Sequence, residues 1–183
     1  MGKKDKILQA ALHLFVKKGI DASSTSKIAK QAGVASGLIF HHFGNKENLV
    51  NEVFLKAKSD IAEALKKGFN TKEFSEAGFK KIWKFSINIG LQHIITIRFL
   101  HQYSYSRFIS SKGRKKGKLF FEIHRAFYKN GIQKGFLKDL NMDFLTEQIF
   151  EQYLFTLIYI DENKPSKVVI QNMYMIYRDM IFK

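Results

Sequence analysis

A single proline, Pro165, interrupts 183 residues. Proline removes a backbone donor and clashes with the preceding helical turn, so a chain almost free of it can run one helix after another. Apolar residues recur here at three- and four-residue spacing, without the alternation of a strand. Lys3 to Lys18 reads as an amphipathic helix with Ile7, Ala10, Ala11, Leu14 and Phe15 on one face, and Gly19 stops it. The run Ser23–Ser26 offers N-caps for a short helix from about Thr25 to Ala32. Gly33 breaks that helix, and a second short one spans about Ala35 to His41. After a turn at Phe43-Gly44-Asn45, a longer helix runs from Lys46 to about Lys67, its apolar stripe formed by Val50, Val53, Phe54, Ala57, Ile61 and Leu65. Gly68 and Asn70 mark its end. Further helices are expected at about 73–90, 92–109, 118–134, 142–161 and 165–182, with a basic loop at 110–118. The expectation is an all-α chain of about nine helices.

Composition narrows the function classes. The net charge is +15 and the isoelectric point about 9.9, a balance that favours a polyanionic partner such as nucleic acid, an anionic membrane surface or an acidic ligand. The cationic excess is spread over both halves of the chain, so charge alone does not locate the binding region. There is no cysteine, which removes disulfides and thiolate chemistry. No apolar signal core or span-length stretch occurs, so a cytoplasmic protein without membrane segments is expected.

The informative segment is Ser24 to Leu49. Two short helices joined by a tight Gly33 turn cannot bury their apolar sides alone. They need the Lys3–Lys18 helix laid across them through Leu14 and Phe15. Ala29 is small where the two short helices cross, and Val34, Ile39 and Phe43 are apolar where such a unit needs a core. The result is a three-helix, helix-turn-helix unit whose last helix projects outward, a shape that a DNA major groove of ~12 Å width accepts.

Within that segment stand Ile28-Ala29, Ala32-Gly33-Val34, Ser36-Gly37, Phe40-His41-His42-Phe43 and Lys46-Glu47-Asn48-Leu49. Over roughly residues 5–55 this resembles the DNA-binding domain of the TetR/AcrR family of transcriptional regulators. The remainder is similar to that family in length, helicity and element order, and in the turn Phe136–Leu140. The resemblance implies an N-terminal reader (1–48) and a C-terminal helical domain for ligand sensing and dimerisation (49–183). It implies a homodimeric repressor bound to a double-stranded DNA operator and released by a hydrophobic small-molecule effector. The DNA-facing set it implies is Thr25, Ser26, Lys27, Ala35, Ser36, Gly37, Phe40, His41, His42 and Lys46. Thr25 and Lys46 would hold phosphates, and Gly37 would let the helix backbone approach the groove closely. Phe40 stands where the family commonly has Tyr, and Ala35 where Ser is frequent, so two hydroxyl contacts are lost.

The aromatic-rich stretch after residue 74 reads first as core and dimer packing. A subset, Trp83, Phe99, Tyr103, Phe120, His124 and Phe127, is a candidate lining for a ligand cavity. The last two helices are expected to pair with those of a second copy through Phe144, Ile149, Phe150, Leu154, Leu157, Met173 and Ile176. No cofactor is expected. His93 and His101 lie eight residues apart with no cysteine or acid to complete a metal site, and none is expected. No nucleophile triad or phosphate-cradling glycine loop occurs, so the chain is not expected to be an enzyme. The basic segment 112–118 is either a solvated loop or an auxiliary contact with DNA or another anionic partner.

Overall fold

A computed structural model describes residues 2–69 and 74–183. The expected helix end at Asn70 falls outside them. The described residues are helical, with no strand among them and one isolated bridge between Leu137 and Phe182. The helices are α1 (Lys3–Lys18), α2 (Thr25–Ala32), α3 (Gly37–Phe43), α4 (Lys46–Lys66), α5 (Glu76–Gln92), α6 (Ile94–Tyr103), α7 (Ser111–Lys118), α8 (Glu122–Gln133), α9 (Met142–Asn163) and α10 (Lys167–Ile181), with a 3₁₀ turn at Leu119–Phe121. The all-α class is as the sequence indicates. Several boundaries differ. Residues 111–118, expected as a loop, form α7. The helix expected to reach residue 109 ends at Tyr103, and His93 caps α5 rather than lying within α6. Pro165 stands before α10 instead of in its first turn, because Ser166 takes the cap position and accepts the Val169 N–H.

Contacts divide the chain into two compact units, residues 1–60 with 98–119 and residues 61–97 with 120–183. In the first, α1 buries Ile7, Ala11, Leu14 and Phe15. Of these, the Ile7, Leu14 and Phe15 side chains contribute ~1.5–3 kcal/mol each on burial. α6 reaches back to α1 through Phe99, which stacks on Phe15 at 6.2 Å, and through Tyr103, whose hydroxyl donates to the Phe15 carbonyl at 3.2 Å.

The second unit has a core of rings. Phe74, Phe79, Phe127, Tyr128, Tyr174, Tyr177 and Phe182 are all buried there. The Tyr128 and Tyr177 hydroxyls meet at 3.3 Å, giving two buried polar atoms a partner. α5 lies close on α9 because Gly90 has no side chain: a Cβ there would fall 2.2 Å from Leu157 Cδ1 and 2.6 Å from the Tyr153 hydroxyl. That hydroxyl donates to the Ser86 carbonyl at 3.0 Å.

His124 breaks the pattern of satisfied polar groups. It is buried, its ring meets Phe69 at 4.2 Å and Phe121 at 5.2 Å, and neither ring nitrogen has a hydrogen-bond partner. Burial pushes its pKa from 6.5 down to about 4, and the polar Phe121 backbone nearby offsets only part of that. The imidazole is therefore neutral at pH 7.

Two outcomes follow for stability. Gly90→Ala gains helix propensity worth up to ~1 kcal/mol but drives a methyl into the wholly buried Leu157. Denaturant titration should show a net loss of about 1–3 kcal/mol, and an unchanged midpoint would refute the close approach. For His124, the unfolded chain takes up a proton near pH 6.5 that the folded chain refuses until about 4. Stability is then complete above pH 6.5 and falls by about 3 kcal/mol as pH drops to 4. His124→Leu should flatten that part of the profile; an identical slope in wild type and variant would contradict a buried neutral imidazole.

Candidate nucleic-acid interface

The turn between α1 and α2 is pinned from inside. Ser23, wholly buried, donates its hydroxyl to the Gly19 carbonyl at 2.7 Å and its N–H to the Ile20 carbonyl at 3.2 Å. Ser24 then caps α2, its Oγ accepting the Lys27 N–H at 3.3 Å, a contact worth ~1 kcal/mol. The N–H groups of Thr25 and Ser26 are among those a helix cannot use internally. They point out of the N-terminus that carries the positive end of the helix dipole.

Cations gather at the same turn. Lys27 Nζ donates to the Ala22 carbonyl at 3.1 Å, and Lys46 Nζ, from the start of α4, to the Asp21 carbonyl at 3.3 Å. Arg107 reaches Asp21 Oδ2 at 3.4 Å from the segment after α6. All three contacts are exposed and weak, of the kind worth ~1 kcal/mol or less, so an anion can displace them. Arg107 is a residue that local sequence reading misses. It lies 86 positions from Asp21, and nothing in the residues around it signals that the chain returns there.

α3 is set by the Gly33 turn. Gly33 adopts φ 65°, ψ 38°, the left-handed region where glycine alone is unstrained. The Val34 N–H returns to the Ala29 carbonyl at 3.0 Å and fixes the angle between the helices. Ile39 and Phe43 point inward and are buried. Ala35, Ser36, Gly37, His41 and His42 are exposed, and Phe40 keeps 54% of its surface in water. Ser36 makes no side-chain capping bond. The two histidine rings meet edge-on at 5.4 Å. A Cβ built on Gly37 meets nothing within 4 Å, and its backbone is not in the left-handed region. The fold itself thus gives no reason for glycine there. Asn45 caps α4, its Oδ1 accepting the Asn48 N–H at 2.8 Å, which fixes Lys46 in the first turn. Thr25, Ser26, Lys27, Ala35, Ser36, Gly37, Phe40, His41, His42 and Lys46 all lie in the first unit and are at least partly exposed.

The candidate cavity residues divide between the two units. Phe99 and Tyr103 belong to the first unit, where they hold α6 to α1. Trp83, Phe120, His124 and Phe127 belong to the second. Trp83 packs on Tyr174 at 5.3 Å, while His124 and Phe127 share Phe69.

The candidates for pairing two copies differ in exposure. Leu154 and Leu157 are 0% exposed, and Ile149 is also buried, all within this chain's own core. Phe150 is partly buried and packs on Phe121 at 5.3 Å. Phe144 and Ile176 are exposed at 56% and 65%, and Met173 is half-buried. The outward face of α9 also carries Phe155 and Tyr159, and that of α10 Val168 and Met175.

Residues 7–53 match the model of the bacterial regulatory proteins of the tetR family. The chain is 30% identical over 139 residues to the HTH-type transcriptional regulator QacR of Staphylococcus aureus (strain Mu50 / ATCC 700699), covering 74% of this chain and 73% of that one. It is 26% identical over 148 residues to the fatty acid metabolism regulator protein of Bacillus subtilis (strain 168), covering 79% and 76%. A crystallised chain from Shewanella sp. PV-4, described as a candidate tetR family transcription regulator, superposes with a TM-score of 0.90 at 24% identity over the whole of both chains.

Gly37 tests the geometry directly. Gly37→Ala should leave thermal unfolding unchanged or raise stability by up to ~1 kcal/mol. If α3 meets a duplex through its backbone, the same methyl should cost about tenfold in DNA affinity, ~1.4 kcal/mol. Full affinity in the variant would rule out close approach at that residue.

Proposed function

Because this chain belongs to the tetR family of bacterial regulatory proteins, we propose that it is a dimeric, ligand-responsive transcriptional repressor that leaves its DNA operator on binding an apolar or aromatic small molecule. The observation that carries this reading is the exposure of α3 beside a turn built to attract anions. Thr25, Ser26, Lys27 and Lys46 hold phosphates on either side of a major groove. Ser36, His41 and His42 face base edges, while Ala35, Gly37 and Phe40 lie against the groove wall. Phosphate contacts set the register and base contacts the sequence preference. Residues 1–48 form the reader and 49–183 the sensing and pairing part. α4 is continuous from one to the other, which makes it the lever by which an effector shifts the reader, with a coupling of ~1–3 kcal/mol.

Dimerisation through α9 and α10 is supported by their exposed apolar side chains, Phe144, Phe155, Tyr159, Val168 and Ile176. Exposed apolar surface of that kind marks an interaction face, and an obligate pairing buries on the order of 2,000 Å² or more. The buried, unpartnered His124 among aromatic rings supports an effector with an apolar body and one hydrogen-bonding group. The name of the fatty acid metabolism regulator fits the same class. No helix among the described residues is long and apolar enough to cross a membrane, and a DNA target puts the site of action in the cytoplasm.

Selection of binding sequences from random duplex DNA tests the proposal. Two-fold pairing should enrich an inverted repeat with half-sites about one helical turn apart or a multiple of it. Failure to enrich any motif at physiological salt would remove the operator-binding reading. Sedimentation should give twice the chain mass of 21.3 kDa for wild type, and Phe155→Glu with Ile176→Glu should bring it to the single mass. A double variant that stays dimeric would exclude this face.

A further inference from the structure

α7 is an improbable helix. Its sequence, Ser111-Lys-Gly-Arg-Lys-Lys-Gly-Lys118, has two glycines and five cations, and no acidic residue occurs between Glu76 and Glu122. Glycine weakens a helix, and like charges at Lys112/Lys116 and Arg114/Lys118 repel across one turn. Its own residues therefore do not account for it.

The neighbouring α4 does. Asn51 Oδ1 accepts both the Ser110 N–H at 3.0 Å and the Ser110 hydroxyl at 2.8 Å, and Ser110 Oγ in turn accepts the Gly113 N–H at 3.0 Å. Asn51 Nδ2 donates to the Phe108 carbonyl at 3.3 Å, and an Arg114 N–H donates to the Ile109 carbonyl. Gly113 and Gly117 are buried one turn apart. A Cβ on Gly113 would fall 2.7 Å from Asn51 Oδ1, and one on Gly117 3.1 Å from the Phe54 ring and 3.5 Å from Lys58. The two glycines thus lay α7 along α4 in the same direction, with its first turn nearest the end of α4 that holds Lys46. Lys112, Lys115 and Lys116 stay exposed. Crowding Lys112, Lys115 and Lys116 on one exposed helix raises self-repulsion, and a polyanion relieves it.

We propose that α7 is a second phosphate-binding element: Lys112, Lys115 and Lys116, with Arg107, hold the DNA backbone beside the groove that α3 enters and extend the footprint onto flanking duplex. The inference rests on residues 1–48 being a DNA reader, and it adds to that reader two segments, Arg107 and α7, that share its compact unit. DNA is the occupant because these cations share that unit with the exposed α3, and Arg107 already stands on Asp21, whose carbonyl holds Lys46.

The test is the salt dependence of full-length protein binding to a mixed-sequence duplex of about 30 base pairs, from about 50 to 200 mM NaCl. Each lost phosphate contact lowers the slope of log K against log salt by ~0.9. Lys112→Gln/Lys115→Gln/Lys116→Gln should lower it by about two to three units. Lys81→Gln/Lys84→Gln/Lys167→Gln, which removes the same charge from the second unit, should leave it within about half a unit. Circular dichroism guards against unfolding, and Lys112→Arg/Lys115→Arg/Lys116→Arg should restore the slope. A wild-type slope in the α7 triple, or an equal loss in both Gln triples, overturns the proposal. So does loss of binding to phosphatidylserine vesicles with the DNA slope intact. Lys46→Ala separates the two readings. If it lowers the slope by about one while the α7 triple does not, this inference alone fails; if neither changes, the DNA reading fails and takes the inference with it.

Discussion

Burial of Ile39 and Phe43 is what lets α3 exist. An isolated helix of seven residues does not survive in water, because nucleation fixes several dihedral angles before propagation repays them. Those two side chains fasten α3 to α1 and α2, whose own core of Ile7, Leu14, Phe15 and Ile28 is almost completely closed. Everything outward-facing depends on that anchorage. Ser36, His41 and His42 are held in direction because Ile39 and Phe43, four residues apart on the same helix, are buried. In the proposed role as a reading surface, side chains held this way would lose little freedom on binding, which favours affinity per contact.

The same economy explains how the anion-attracting turn is built. Its cations are not tied into strong ion pairs. Lys27 and Lys46 rest on backbone carbonyls, and Arg107 on an exposed carboxylate at 3.4 Å. Such contacts orient an ammonium or guanidinium without lowering its availability, since exposed pairs contribute ~1 kcal/mol at most. Exchange for a phosphate oxygen then releases counterions as well, and that release is the larger driving force.

How much of this was legible beforehand varies with the range of the forces involved. The head is a local structure: Ser24, Gly33 and Asn45 act on neighbours three to five residues away, so its helices and its exposed residues can be read from the sequence almost to the boundary. α7 could not be read, because glycine and lysine argue for a loop, and the residue that overrides them, Asn51, is 59 positions from Ser110. α9 resists phasing from sequence for a different reason. From Phe144 to Ile160 it is apolar on nearly every face, so periodicity does not say which side turns inward. Leu154 and Leu157 were equally good candidates for an outer surface until Gly90 of α5, which leaves room for Leu157, decided the rotation. Phe155 and Tyr159 take the outer face by default.

His124 completes the contrast between the two units. Buried polar groups in folded proteins are almost always hydrogen-bonded, because an orphan costs roughly 1–3 kcal/mol. In the first unit the buried Ser23 and Ser104 both donate to carbonyls. The second tolerates an imidazole with both nitrogens unmet between Phe69 and Phe121. A leucine of similar volume would remove the penalty, so stability does not account for the histidine. Its desolvated nitrogens offer one donor and one acceptor in surroundings where a hydrogen bond is strengthened by the low dielectric. In the proposed reading, a molecule that supplied the missing partner would recover a cost already present in the folded chain, and an effector shifts a conformational equilibrium only by such a difference in affinity between states.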